Sequence, residues 1–252
     1  MTGSAPVPVD LWAQLRTTTQ ARIGLGRAGI SLPTAAVLEL QASLAAARDA
    51  VHVPWDVASL RTGLAGLGLG DPIELSSQAA DRGTYLRRPD LGRLPDSVAD
   101  LPDGGWDVGL VIADGLSSKA VSDHAVAMVA ALAEALGTGM RIAPPVLVSQ
   151  ARVAVGDWIG QAMGVGTVLV LIGERPGLSV ADSLGIYLTH EPRPGRNDAE
   201  RNCISNIHPP EGLGYAAAAS TAANLVRGAR ALGRSGVDLK DTTAPDHVGD
   251  GS

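Results

Sequence analysis

The stretch Val168-Leu-Val-Leu-Ile-Gly-Glu-Arg-Pro-Gly177 places five consecutive branched apolar residues directly before a charged, glycine-containing segment. A short apolar run bounded by turn residues is typical of a strand that is buried on both faces of a parallel sheet. Open α/β sheets bind their ligands at the carboxyl ends of such strands. Glu174 and Arg175 therefore lie either at a binding edge or in an ordinary polar surface turn. The fold class alone does not distinguish a binding edge from a surface turn.

The composition excludes several classes of protein. The 252 residues are 45% hydrophobic, but only 3% are aromatic and none is Phe, which predicts an aliphatic core large enough for one or two domains. The net charge of -6 argues against nucleic acid or an anionic membrane as partner. A single cysteine rules out an intrachain disulfide and favours a reducing compartment. Because no signal peptide and no apolar run of roughly 18 residues is present, we expect a cytoplasmic protein.

The first third of the chain is predicted to be helical. Asp10 is a candidate cap for a short helix, and Pro33 precedes an amphipathic pattern from Thr34 to His52. No convincing strand pattern occurs before residue 72. We therefore predict a helical N-terminal domain over residues 1–72, with residues 1–9 disordered.

From residue 73 onward the pattern changes to alternating strands and helices. An edge strand is predicted at Pro72–Leu75, and Tyr85–Arg93 is predicted to be a basic loop. Further strands are predicted at Asp107–Ala113, Pro145–Ser149, Val168–Gly173 and Leu184–Thr189, and helices at Ala120–Leu136, Asp157–Met163 and Tyr215–Leu232. Such alternation indicates parallel βαβ units. Residues 73–252 are thus predicted to be an α/β domain with a disordered acidic tail from Asp241.

The segment Gly24-Leu-Gly26-Arg-Ala-Gly29 matches the GxGxxG pattern of dinucleotide-binding proteins. That pattern requires a strand before it and a helix that opens within it. Here a hydrophilic Thr- and Arg-containing stretch precedes the glycines. We expect instead a tight loop that contacts the helical domain or a partner, and we keep a nucleotide-binding module as an alternative.

Other motifs give weaker signals. Asp114-Gly-Leu-Ser-Ser-Lys119 predicts a strand-to-helix turn in which Ser117 or Ser118 caps the helix. A Cys203 nucleophile activated by His208 is conceivable, although a buried inert thiol is much more common. The histidines show no metal-ligand spacing, and no serine lies in a GxSxG motif. We therefore predict no catalytic residue and no metal ligand in this chain.

Four segments, taken together and in order, resemble the small subunit of ethanolamine ammonia-lyase. They are Ala21–Gly29, Asp114–Ser118, Ile172–Leu178 and Asp198–His208. The resemblance extends over roughly residues 10–240. It implies a helical N-terminal domain followed by a Rossmann-like domain, and a hetero-oligomer with a large TIM-barrel subunit. It also implies adenosylcobalamin as cofactor for converting ethanolamine to acetaldehyde and ammonia, with the chemistry located in the large subunit.

The resemblance further implies three cobalamin-contacting residues, Val153, Glu174 and Cys203. A carboxylate suits the amide groups at the corrin edge, which donate hydrogen bonds. Val153 would pack between those amides, and the small Cys203 would let its backbone approach the ligand without any redox or nucleophilic role. No histidine has Asp two residues before it, so the cofactor is expected to keep its own base.

Two matters stay open at this point. A stand-alone α/β enzyme that uses Glu174 as acid or base is the main alternative function. Many members of the resembled family also carry a longer N-terminal leader, which is linked to packaging in a bacterial microcompartment. Only residues 1–9 precede the resemblance here, so packaging through a leader on this chain stays an open prediction.

Overall fold

Helices and strands alternate along the chain in a computed structural model that describes residues 11–241. The predicted α/β class is confirmed. The cap predicted at Asp10 and the disorder predicted for residues 1–9 and for the tail after Asp241 lie outside the described residues. No helix within residues 11–241 has the length and apolar character needed to span a membrane.

Three helices precede the first strand: α1 (Leu11–Arg16), α2 (Thr34–His52) and α3 (Val57–Ala65). The bounds of α2 are those predicted from the sequence. Helix α1 buries no residue and α2 buries only Ala36 and Ala50, so both lie on the surface. Helix α3 differs, because Leu60 and Leu64 are part of the core beneath the sheet. The domain boundary at residue 72 stays a prediction.

The sheet has six strands in the order β1-β3-β2-β4-β5-β6. The pairs β1–β3, β2–β3 and β2–β4 are parallel, whereas β4–β5 and β5–β6 are antiparallel. Only β5 therefore runs against the other five strands. The strands are β1 (Ile73–Ser76), β2 (Val108–Ala113), β3 (Val146–Ser149), β4 (Thr167–Gly173), β5 (Leu184–His190) and β6 (Asn202–Ile207).

Strand β5 is the one exception to the predicted parallel arrangement among the six strands. The link between β4 and β5, residues 174–183, contains no helix. A parallel crossover needs about a dozen residues or more and usually a helix, so this link returns the chain antiparallel. Strand β6 was not predicted, because Asn202-Cys-Ile-Ser-Asn-Ile207 has few apolar residues.

Four helices complete the layers: α4 (Arg82–Arg87), α5 (Ser118–Leu136), α6 (Val155–Ala162) and α7 (Tyr215–Leu232). Helix α4 and a short 3₁₀ turn at Leu91–Arg93 occupy the segment predicted to be a basic loop, which corrects that prediction. Helices α5 and α7 pack on one face of the sheet, and α6 packs on β2 and β4 from the other face.

Strand β4 is buried on both faces, as its apolar run predicted. Leu169 and Leu171 belong to the core under α5 and α7, and Val168 and Val170 belong to the core under α6. Helix α6 packs on the middle of the sheet, so β5 and β6 are open on its side. Tyr187 is half-buried there, and Cys203 and Ser205 are exposed.

Candidate functional site at the carboxyl edge of the sheet

The carboxyl ends of β2 and β4 form the point where the chain leaves the sheet in opposite directions. From β2 it continues through α5 to β3, and from β4 it continues to β5 on the other side. Such switch points create the crevices in which open α/β sheets bind ligands. The two strand ends approach closely, because Leu116 N donates to Gly173 O at 2.9 Å. Gly115, with φ of +57°, has no room for a side chain against that carbonyl.

A depression with a cavity volume of about 670 Å³ lies at this edge and is called the edge depression below. Small-molecule sites commonly enclose roughly 300–1,000 Å³. Its wall is formed by the ends of β3 and β4, the middle of β5 and the segment before β6. The lining residues are Tyr85, Pro89, Arg93, Leu116, Arg152, Val153, Ala154, Ile172, Gly173, Glu174, Arg175, Tyr187, Arg196, Asn197, Asp198 and Arg201.

Glu174 is held firmly at the end of β4. Its Oε2 accepts hydrogen bonds from Ser183 Oγ at 2.5 Å and from Asn206 N at 3.2 Å. Its Oε1 accepts from Ser205 Oγ at 2.6 Å. Gly185 makes room for this arrangement, because a Cβ there would lie 2.9 Å from Oε1. The carboxylate therefore ties the link 174–183 and β6 to β4 while it lines the edge depression.

The structure brings the other two predicted residues to the same side of the sheet. Val153 is half-buried in the turn between β3 and α6 and lines the edge depression. Cys203 is on β6, directly paired with Tyr187 of β5, and Tyr187 lines the depression. Val153 and Glu174 thus share one wall, and Cys203 extends the surface across the open side of the sheet.

The thiol and its tyrosine neighbour are both kept neutral by their surroundings. Cys203 is exposed as a residue, but the protein around its sulfur excludes water, and this desolvation raises the pKa of the thiol, although a hydrogen bond from Tyr187 partly opposes the shift. Burial also raises the pKa of Tyr187 to about 12. His208 Nε2 lies 2.8 Å from Asn206 Oδ1, and no hydrogen bond between Cys203 and His208 is found within residues 11–241. The Cys–His nucleophile considered from the sequence is therefore not assembled.

A buried ion pair that the sequence did not reveal lies beneath the depression. Arg201 Nη1 and Nη2 each donate to one oxygen of Asp157 at 2.7 Å, and Nη1 also donates to Thr189 Oγ1 at 2.7 Å. Both charged side chains are almost fully buried. Asp157 lies in the first turn of α6, so the pair fixes the segment before β6 against that helix. Nothing in the local sequence distinguishes Asp157 from a surface helix residue.

A second group surrounds the fully buried Tyr85 on α4. The guanidinium carbons of Arg152 and Arg82 lie 4.2 Å and 4.7 Å from its ring centroid, a cation–π arrangement. Arg82 Nη1 also forms an ion pair with Asp114 Oδ2 at 3.4 Å, and Arg82 Nε donates to Val51 O at 2.6 Å. Burial raises the pKa of Asp114, and Arg82 opposes that shift. This network joins the end of α2 to the carboxyl ends of β2 and β3.

The glycine-rich loop lies against the helical segment. Helix α1 precedes it, with no strand between residue 11 and the loop, and Arg16 Nη1 donates to Gly24 O at 2.9 Å. Gly24, with φ of +59°, packs on Trp12 so closely that a Cβ would collide with the indole. The predicted contact with the helical part is confirmed. Arg22 also donates to Leu178 O at 3.0 Å, which links this loop to the one that follows Glu174.

One group of possible metal ligands occurs within residues 11–241, namely Asp123, His124 and Asp182, whose ligand atoms lie within 4.8 Å of one another. The ammonium group of Lys119 forms ion pairs with both carboxylates. His124 Nδ1 is 2.7 Å from Tyr215 Oη. Because Lys119 already supplies the positive charge, we interpret this group as an ion-pair network.

Comparison with known proteins gives a consistent result. The family model described as Ethanolamine ammonia-lyase light chain (EutC) matches residues 9–240. The ethanolamine ammonia-lyase small subunit of Rhodococcus erythropolis is 58% identical over 247 residues, which cover 98% of this chain and 96% of that protein. The small subunit of Azotobacter vinelandii is 51% identical over 250 residues, which cover 96% of this chain and 92% of that protein.

A third relative, from Ralstonia nicotianae and with the same description, is 51% identical over 247 residues, covering 94% of this chain and 90% of that protein. Similarity of this degree over nearly the whole length includes both the helical segment and the edge depression. The chain belongs to the ethanolamine ammonia-lyase light-chain family, whose members are also described as small subunits.

Proposed function

We propose that this chain is the small subunit of an adenosylcobalamin-dependent ethanolamine ammonia-lyase, which converts ethanolamine to acetaldehyde and ammonia. In this proposal the chain binds cobalamin in the edge depression, and a large TIM-barrel subunit covers the depression and carries the active site. The description "small subunit" of its relatives implies a larger partner. The observation that carries the proposal is the fixed carboxylate of Glu174 at the depression.

The residues of the depression suit the periphery of a corrin. A carboxylate offers roughly four acceptor positions, and three of those of Glu174 are used within the chain, which leaves one for a donor from outside. Corrin side-chain amides are donors of that kind. Val153, Leu116 and Ile172 add apolar surface to the same wall. Because cobalamin is larger than a drug-sized ligand, the depression would hold only part of it and leave the rest to the partner.

Bound adenosylcobalamin supplies the radical that starts the reaction, and the protein supplies its placement. The role of this chain is to bind and orient. Glu174 accepts an amide hydrogen bond, Val153 packs on the corrin edge, and Cys203 leaves space for close approach. No nucleophile–base pair was identified in the depression. We therefore expect no turnover by this chain alone, and acetaldehyde release by the isolated chain would contradict the subunit role.

The alternative in which Glu174 is the acid or base of a stand-alone enzyme has less support. Its three internal donors occupy three of its acceptor positions and hold the carboxylate in one orientation. A carboxylate fixed in this way is suited to a structural and hydrogen-bonding role at the wall of the depression. A nucleotide-binding module at Gly24–Gly29 is also less supported, because the described chain that leads into those glycines, from residue 11 onward, forms helix α1 and no strand. Packaging in a bacterial microcompartment stays a prediction.

The test is replacement of Glu174 in the complex assembled with a large subunit. A hydrogen bond to a charged group contributes about 1.5–3 kcal/mol, so Glu174→Ala should weaken cobalamin binding by about ten- to a hundredfold. Glu174→Gln should weaken it less, because the amide oxygen still accepts. Binding is measured by titrating the corrin absorbance, and thermal unfolding is recorded because Glu174 also ties down Ser183 and Ser205.

Glu134→Ala is the matched control. It removes the same charge from an exposed position near the end of α5, away from the depression. Its cobalamin affinity should equal that of the wild type. If Glu174→Ala folds normally and binds cobalamin as tightly as the control, Glu174 does not hold the cofactor and the proposed site is wrong.

A further inference from the structure

The edge depression carries a concentration of positive charge in a chain whose net charge is -6. Two of its lining arginines are neutralised, Arg196 by Glu200 and Arg201 by Asp157. For the other three, no carboxylate within residues 11–241 lies at ion-pair distance. These three are Arg93, Arg152 and Arg175. An apolar ligand or a neutral amide would not require such a wall.

The amino end of α6 opens into the same wall. The amides of residues 155–157 bond to the carbonyls of residues 152–154, and the N-cap residue Ala154 provides no side-chain acceptor. The amides of Val153 and Ala154 have no acceptor in the part of the chain that the structure describes, and both residues line the depression. Free amides at the start of a helix favour anions, because the helix dipole adds to their partial positive charge.

Two buried arginine donors point to a missing acceptor. Nε of Arg152 and Nε of Arg201 are both buried without a hydrogen-bond partner, and Arg201 as a whole is only 8% exposed. Asp198 Oδ1 lies 3.7 Å from Arg201 Nε, which is within ion-pair distance but too long for a hydrogen bond. Buried donors are nearly always satisfied in native structures. Arg201 is bonded to Asp157 in the first turn of α6 and therefore lies beside the amino end of that helix. Arg152 directly precedes Val153 and Ala154 in the chain.

Arg93 and Arg152 both line the depression, and a backbone contact links their segments. Arg152 N donates to the carbonyl of Gly92, the residue before Arg93, at 2.7 Å, and the Arg152 guanidinium carbon lies 4.2 Å from the ring centroid of Tyr85. A stacked guanidinium is oriented in advance and loses little conformational entropy when it binds. Arginine is the side chain best suited to the paired oxygens of a phosphate.

We propose that Arg93, Arg152 and the amino end of α6 form a subsite for the phosphodiester of a nucleotide-bearing ligand. The inference rests on the proposed function, because cobalamin carries such a group: one phosphodiester joins its nucleotide base to the corrin. Its corrin-edge amides are neutral and suit Glu174, whereas its phosphate suits the arginine wall. The two subsites together would fix the orientation of the cofactor as well as its position.

The experiment compares three corrinoids on the complex with the large subunit, using the change in corrin absorbance on binding. Cobalamin carries the phosphate and the base, cobinamide phosphate carries only the phosphate, and cobinamide carries neither. Arg152→Met and Arg93→Gln should each weaken the first two by about tenfold, or about 1.4 kcal/mol, and leave cobinamide unchanged. Arg93 is exposed, so its replacement provides a variant whose folding is not in question.

Arg141→Met is the matched control, because Arg141 is an exposed arginine at the opposite end of β2. It should bind all three corrinoids as the wild type does. An equal loss for all three corrinoids in Arg93→Gln and Arg152→Met, or no loss, would overturn the phosphate subsite and leave the proposed function standing. Failure of the wild-type complex to bind any corrinoid would overturn the proposed function and this inference with it.

One further titration separates the two sources of a phosphate. Adenosine monophosphate should bind the wild-type complex much more weakly than cobalamin. If it binds more tightly, and Arg152→Met abolishes that binding, the wall serves a free nucleotide and the assignment to the cofactor is overturned.

Discussion

The two faces of β5 and β6 serve opposite purposes. One face packs under α5 and α7, with Leu184, Ile186, Leu188, Ile204 and Ile207 buried in the apolar core. The other face has no helix of residues 11–241 packed over it and presents Tyr187, Cys203 and Ser205 beside the carboxylate of Glu174. Because successive side chains of a strand point to opposite faces, the same two strands build the core with one set of residues and the proposed binding surface with the other. Stability and ligand binding are therefore expected to respond to different, interleaved positions.

The largest expected effect tests where the open face ends and the core begins. Arg201 is one of the residues that line the edge depression. Its side chain is nevertheless only 3% exposed and is paired with Asp157. Arg201→Met leaves a buried carboxylate without its partner and should lower the free energy of unfolding by about 3–5 kcal/mol. Urea unfolding of the chain in its complex measures this.

The double variant Arg201→Met, Asp157→Leu sharpens that result. Replacing a buried ion pair by apolar residues of similar size is often neutral or stabilising, so the double variant should recover most of the lost stability. If the single and double variants are equally unstable, the pair does not act as a unit and the loss comes from packing alone.

The next expected effect compares neighbours on the two faces. Ile186→Ala removes a fully buried side chain from the covered face and should cost about 2–5 kcal/mol. Ser205→Ala, on the open face, removes one exposed hydrogen bond to Glu174 and should cost less, about 0.5–1.5 kcal/mol. The denaturant concentrations at the unfolding midpoints of the two variants measure the two stability losses. Comparable losses would mean that the open face is part of the folded core.

The covered face is also the part of the fold that the sequence predicted well. The run 168–172 identified β4, and the apolar periodicity identified α2 and α7 with the bounds that the structure has. The open face was harder, because Asn202–Ile207 has polar residues at most positions and β6 lacks the apolar signal of a buried strand. The reversed direction of β5 could have been inferred from the helix-free link 174–183, which is too short for a parallel crossover.

The proposed site was only partly predictable. Glu174 follows a buried strand, and that position alone indicated the carboxyl edge of the sheet. The serines that hold it come from elsewhere in the chain, Ser183 from the end of the link before β5 and Ser205 from β6, and their proximity depends on the antiparallel pairing of β5. The pair Asp157–Arg201 had no local signal, since both residues are of types that normally lie on the surface. The choice of Val153 and Cys203 came from family resemblance, and their role in binding stays a prediction.

A smaller effect concerns pH and again belongs to the covered face. His190, buried at the end of β5, bonds to Thr167 Oγ1 at 2.9 Å, and burial lowers its pKa below the ordinary 6.5. The unfolded chain therefore binds more protons than the folded one below pH 6.5. The stability from this group is present above that pH and is lost as the pH falls through the lower folded pKa, by up to about 1.4 kcal/mol per pH unit.

His190→Gln tests this assignment. It should reduce the loss of stability between pH 6.5 and pH 5 while keeping a partner for Thr167. Burial also lowers the pKa of His124 on α5, so a part of the slope should remain. Urea unfolding at several pH values measures the slope, and an unchanged slope in His190→Gln would show that this histidine does not titrate with folding.

The smallest expected effect on stability is at Cys203. At this position on the open face we expect the small volume of the side chain to matter more than the reactivity of its thiol. Desolvation of the sulfur by neighbouring residues raises the pKa of the Cys203 thiol above the ordinary 9.0, so the neutral form dominates at neutral pH and alkylation by iodoacetamide should be slower than that of a free cysteine. Cys203→Ser keeps the size and should alter the free energy of unfolding by at most about 0.5 kcal/mol.

Cys203→Leu should also fold, because the residue is exposed. Its longer side chain would occupy the space through which the cofactor approaches the strand, so it should weaken cobalamin binding more than serine does. If the serine variant instead loses turnover while it binds cobalamin normally, the thiol has a chemical role, and the open face is more than a binding surface.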